Sequence, residues 1–146
     1  MRTTSLFALS CALATGACMD DAPTPIPADR AGPGETLYEL SRVGGFDLPA
    51  PVGAKGACTV ELLGSTVVID SAGRFRSHYR LHANCGEGRT TPEPDPGIRG
   101  RVVFRGDSAF FADSLGQSAG TGRRAGDTLF VKGRIHELVY LRAAPR

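Results

Sequence analysis

Between Arg74 and His82 the chain alternates without a break. Arg74, Arg76, His78, Arg80 and His82 take one parity, and Phe75, Ser77, Tyr79 and Leu81 take the other. A helix at 3.6 residues per turn would scatter both sets around its circumference. An extended strand puts one set on a buried face and the other in water. Asp70-Ser71-Ala72-Gly73, just before, is turn chemistry, with Gly73 free to take a positive φ. The segment therefore reads as the second arm of an antiparallel hairpin.

The same signal recurs about every ten residues. Strands are expected over 36–42, over 57–63 and through the β-branched run 65–70. Residues 97–105 alternate again, with Ile98, Gly100, Val102 and Phe104 inward and Arg99, Arg101, Val103 and Arg105 outward. Further strands are expected over 108–113, 128–132 and 134–142, and a short Pro-flanked edge segment over 46–52. Nineteen Gly and ten Pro in 146 residues punctuate many short elements. No segment of helical period competes. The expected fold is all-β: an antiparallel up-and-down barrel, half-barrel or sandwich of about eight to ten short strands.

Residues 1–17 read as a signal peptide rather than as structure. Arg2 gives a positive start, Leu6 to Ala14 a short apolar run, and Thr15-Gly16-Ala17 the small residues before a cleavage site. The apolar run is too short to span a bilayer. The run Leu13-Ala14-Thr15-Gly16-Ala17-Cys18 resembles a bacterial lipobox, which implies lipidation of Cys18; Thr15 departs from the pattern, where an apolar residue is usual. The alternative is an ordinary signal peptide cut nearby. Residues 18–34 carry four prolines and no periodicity, the composition of a semi-stiff tether. The folded domain is expected over 35–146.

Within that domain, several short signatures resemble the lipocalin-like domains of small bacterial lipoproteins and secreted proteins. They are Tyr38-Glu39-Leu40, Val43-Gly44-Gly45, Leu48-Pro49-Ala50, Asp70 to Phe75, and the turns Gly106-Asp107 and Gly126-Asp127-Thr128-Leu129. The resemblance covers roughly residues 36–142. It implies a meander barrel or half-barrel and brings over no catalytic residue.

Cys58 and Cys85 form an even pair in a chain with an export signal, so a disulfide is expected. The competing reading, a metal site adding His78 and His82, fails on distance. Four strand residues separate the two histidines by about 13 Å, far beyond the reach of bonds of about 2 Å to one ion. No metal and no cofactor are expected.

Two surfaces are candidate sites. The inward residues Phe75, Tyr79, Leu81, Val102 and Phe104, with Ile98, Phe110 and Val131, would line a barrel interior, where Ser77 and Gly100 leave room. Small barrels either fill that interior or hold one small ligand. The outward Arg76, Arg80, Arg99 and Arg101 would form an anion-binding face, unless Glu61, Glu39 or Glu137 on adjacent strands neutralise it. The Pro-rich loop 86–97 reads as a mobile connector. Gly116 to Gly120 fits G-x-S-x-G, but no helix can follow it, so no nucleophile elbow is expected. Gly120-Thr121-Gly122 fails as a dinucleotide loop for the same reason, and Arg105-Gly106-Asp107 is explained as a hairpin turn.

A net charge of +2 does not point to nucleic acid. The expectation is a non-enzymatic β-barrel module of the cell envelope, held at the outer membrane or in the periplasm through a lipid anchor. It would bind a small hydrophobic or amphipathic ligand. The alternative is a structural or interaction lipoprotein with a filled core, whose basic face docks to anionic lipid or an acidic partner. Without the anchor the protein would be secreted.

Overall fold

The alternating stretch forms a strand over Arg74–Asn84, β5, and its neighbour Cys58–Asp70, β4, pairs with it along nearly its whole length. The computed structural model describes residues 31–133 and 136–144; the leader, Cys18 and the tether up to residue 30 lie outside the described residues. Among the described residues every regular element is a strand. The others are β1 (Glu35–Val43), β2 (Phe46–Asp47), β3 (Ala50–Lys55), β6 (Thr90–Glu93), β7 (Ile98–Arg105), β8 (Ser108–Asp113), β9 (Ser118–Ala125), β10 (Thr128–Lys132) and β11 (Glu137–Arg142).

Eight of these strands close a barrel in the order β1-β4-β5-β7-β8-β9-β10-β11 and back to β1, every pairing antiparallel. This is an up-and-down barrel, compatible with a lipocalin-like fold. β1 is the seam: Glu35 to Glu39 pair with β4, and Tyr38 to Val43 pair with β11. Closure leaves no long free edge on the barrel wall.

The two ends differ. At one end the turns Asp70–Gly73, Gly106-Asp107 and Gly126-Asp127 are tight, and Gly73 takes the φ of +73° expected of it. Arg124 lies over the Phe104 ring there, its Cζ 4.5 Å from the centroid. At the other end β4 and β5 change partners. The first half of β4 leaves β1 for β3, and the second half of β5 leaves β7 for β6. A bulge between Leu62 and Gly64 marks the departure, as expected where a strand must bend. The result is a four-stranded arm beyond the barrel rim. Cys58 and Cys85 are bonded at its tip, and Lys55 on β3 meets Glu93 on β6 at 2.8 Å.

The core lies inside the barrel. Tyr38, Leu40, Val67, Ile69, Phe75, Val102, Phe111, Leu129 and Tyr140 are buried there. Three sequence expectations are corrected. Phe110 is 44% exposed and points outward, while Phe111 takes the inward place and meets Phe75 edge-on at 5.2 Å. Gly100 leaves no room for a ligand, because a Cβ there would overlap the Ala112 carbonyl oxygen. The loop expected over 86–97 contains β6, and Asp95 clips it down. Asp95 accepts from the Tyr79 and Gly97 N–H groups at 2.9 Å and meets His78 at 2.7 Å.

Glu35 ties β1 to β5 across the intervening β4. Arg76 donates to both its oxygens, at 2.6 and 2.8 Å, and the Gly32 N–H donates at 2.6 Å. Those donors, the Arg76 guanidinium foremost, hold the Glu35 carboxyl down at about 2 from an ordinary 4.5. A depressed carboxyl stabilises the fold above its unfolded value, and that contribution is lost as pH falls toward the folded one. Glu35→Gln is therefore expected to lower stability by about 1 kcal/mol at pH 7, with the difference from wild type shrinking as pH falls from about 4.5 toward 2. Urea titrations across that range check this; a difference that stays constant with pH would contradict it.

Candidate functional site

Where β4 and β5 swing out, the barrel mouth is left open, and a cavity of about 220 Å³ occupies it. Its walls come from five elements. Val43 ends β1, Val52 stands on β3, Leu62 on β4, Tyr79 and Leu81 on β5, and Leu138 on β11. Gly133 and His136 of the β10–β11 turn complete the rim. His136 is the sole titratable group among these besides the Tyr79 phenol, so the lining is almost wholly apolar, as ligand sites usually are.

Tyr79 also forms the floor. On its other side a void of about 40 Å³ lies among Val67, Phe75, Ser77, Ile98, Phe111, Ala119, Val131 and Tyr140. That is room for about one water. The phenol groups of Tyr79 and Tyr140 interact, and the Tyr140 hydroxyl is 3.1 Å from Ser65 Oγ. Burial pushes the Tyr140 phenol far above its usual value, so it stays protonated. Ser77 is satisfied by the Ile98 backbone, accepting at 3.2 Å and donating at 3.3 Å. Polar groups inside the barrel are thus paired with one another rather than aimed at the cavity.

The expected interior set divides along the barrel axis. Phe75, Tyr79, Leu81, Val102 and Phe104 all point inward. Tyr79 and Leu81 line the open cavity, and Phe75 with Tyr79 lines the small void. Val102 and Phe104 belong to the packed closed end. The remaining walls (Val43, Val52, Leu62, Leu138, His136) come from β1, β3, β4, β11 and the β10–β11 turn. Val43 and Leu138 face each other in the β1–β11 register, a pairing that only the closed topology reveals.

The outward stripe divides too. On β5, Arg74 meets Asp70 at 2.6 Å, Arg76 meets Glu35, His78 meets Asp95, and His82 meets Glu61 at 2.6 Å. Of the three acids expected to neutralise this face, Glu61 does so; Glu39 and Glu137 make no ion pair among the described residues. Asp70 is held below the usual carboxylate range by the Arg74 backbone and side chain. Asp95 is lowered as well: burial alone would raise it, but the Gly97 and Tyr79 N–H groups and His78 outweigh that. Arg76 and Arg74 do lie opposite Arg99 and Arg101 in register, and the acids on the β5 side offset that repulsion. Arg99 and Arg101 are exposed and make no ion pair among the described residues, and Arg80 lies over Gly64.

Compared with family models, with curated proteins and with solved structures, the chain matches none.

Proposed function

We propose that this chain is an exported cell-envelope module that binds one small hydrophobic or amphipathic ligand in the open end of its barrel. The observation that carries this reading is the apolar cavity of about 220 Å³ between β1, β3, β4, β5 and β11. A dry cavity of about 150 Å³ holds a benzene ring, so the ligand here is a single ring with a short substituent or the end of an acyl chain. The open rim leaves a polar head in water, and His136 stands where such a head would meet it. The Cys58–Cys85 bond supports an oxidising compartment, and the leader and tether support export. The lipocalin-like domains of small bacterial lipoproteins are the nearest functional analogy, and lipidation of Cys18 would place the barrel at a membrane surface.

The test is binding of a naphthalene-based dye, followed by displacement with medium-chain fatty acids. Leu138→Trp fills the cavity from its wall and is expected to weaken dye binding at least about tenfold, a loss of about 1.4 kcal/mol. Leu115→Trp, at a residue 81% exposed, is expected to leave binding unchanged. Wild type that binds no dye, or a Leu138→Trp variant that binds as wild type does, would end the carrier reading.

A further inference from the structure

The outward face of β7, β8, β9 and β10 differs from every other part of the barrel wall. Register places Val103 opposite Phe110, Phe110 opposite Thr121, and Thr121 opposite Lys132. The next row runs Arg105, Ser108, Arg123 and Phe130. Arg99 and Arg101 stand on β7 beside them. Val103 and Phe110 are 53% and 44% exposed, a large apolar presentation for neighbours on one face. The Arg105 guanidinium lies 5.6 Å from the Phe110 centroid, and that of Arg123 lies 3.6 Å from the Phe130 centroid.

No Asp or Glu takes an outward position on these four strands. Asp107 in the β7–β8 turn, Asp127 in the β9–β10 turn (facing Arg142) and Glu137 opposite Lys132 lie at the borders. On β5, by contrast, four of the five outward Arg and His side chains sit against acids. The protein therefore keeps paired groups on one side and, on the other, collects arginines that make no ion pair among the described residues around the exposed Phe110 and the half-buried Phe130.

We propose that this face docks the barrel on the surface of a bilayer rich in anionic lipid. The chemistry matches at two levels. Guanidinium groups stacked on aromatic rings keep their N–H donors directed at solvent, in the fork geometry that suits phosphate. The Val103 and Phe110 side chains between them enter the headgroup boundary, where such amphipathic sets settle. The wall is convex, and its apolar residues are separated by cations rather than joined in a groove. A layer of mobile headgroups meets that spacing, whereas a folded acidic protein would need matching positions. The proposal does not depend on the cavity being occupied.

The experiment is vesicle flotation of the full chain carrying Cys18→Ser, so that no acyl chain contributes. Vesicles of phosphatidylcholine alone are compared with vesicles containing phosphatidylglycerol. Binding is expected only to the second, and it should fall steeply between low and high salt. Each arginine near such a surface contributes about fivefold to partitioning. Arg101→Glu with Arg123→Glu should thus reduce binding by about 25-fold or more, and Phe110→Ser should reduce it at low salt. Arg80→Glu, off the face, should change nothing. Circular dichroism of each variant separates loss of binding from loss of fold. Equal binding to both vesicle types, or an unaffected double variant that is folded, would overturn the proposal. So would a face that ignores vesicles yet binds polyglutamate in a manner lost in the double variant, which would assign it to an acidic protein.

Discussion

Gly122→Ala is expected to cost about 3 kcal/mol or more, or to prevent folding altogether. Gly122 sits inside β9 at an inward position opposite Ala109. A Cβ there would overlap the carbonyl oxygen of Phe130 on β10, and at Gly100 the overlap is with the Ala112 carbonyl on β8. Neither glycine has a positive φ, so the penalty is steric rather than conformational. The obstructing atoms are backbone in strands that pair on both sides, and they cannot step aside without breaking a ladder. Strand glycines at such points let a sheet coil tightly enough to close. Gly53→Ala on β3 is the control: its Cβ would meet nothing within 4 Å, and a change within about 0.5 kcal/mol is expected. Urea unfolding of the three alanine variants (positions 53, 100 and 122) provides the comparison. Wild-type stability in Gly122→Ala would mean that the ladders yield.

Replacing both Cys58 and Cys85 by alanine is expected to lower stability by about 3.5 kcal/mol, from the chain entropy of a 27-residue separation. The two residues continue the β4–β5 register beyond the Thr59–Asn84 pair, so the bond closes the arm at its free end. The effect should reach the cavity as well. Leu62 and Leu81 are a cross-strand pair on the same arm and both line it, so dye affinity should drop along with the urea midpoint. An unchanged midpoint would show that the arm contributes nothing to the cooperative unit. A lowered midpoint with unchanged dye affinity would show that the arm and the cavity are uncoupled.

What could be read from the residues depended on how sharply their parity was marked. Alternation fixed β5 and β7, with Arg or His on one parity of β5 and mostly Arg on one parity of β7. It could not set the phase of β8, where Ala-Phe-Phe-Ala offers an aromatic to either face and the wrong one, Phe110, looks equally apolar. β9 escaped because Ser-Ala-Gly-Thr-Gly-Arg-Arg-Ala carries almost no strand preference; it is extended because β8 and β10 hold it on both sides. β4 looked like two strands divided at Gly64, where the structure has one strand with a bulge. The arm itself was illegible, since it depends on β4 and β5 each having two partners. That is why the cavity walls on β3 and β4 were missed while Tyr79 and Leu81 were found; those on β1 and β11 depend on barrel closure. The basic stripe was visible as composition, but part of its neutralisation needed Glu35, which strand pairing brings alongside, and Asp95, which the loop after β6 folds back; Asp70 stood four residues from Arg74 in the sequence.

The seam at β1 has a temporal meaning. Its barrel partners are the strand that follows the β2–β3 excursion and the strand that comes last in the sequence, so the ring can close only once residues 137–142 are available. A chain lacking them would present the edges of β1 and β10 together, with the apolar lining between them open to any passing strand. Closure joins the most distant segments of the domain, the contact that polymer statistics make slowest to find. A polypeptide built this way has a long interval, between emergence of its first strand and arrival of its last, in which it is most vulnerable to mispairing with its own kind.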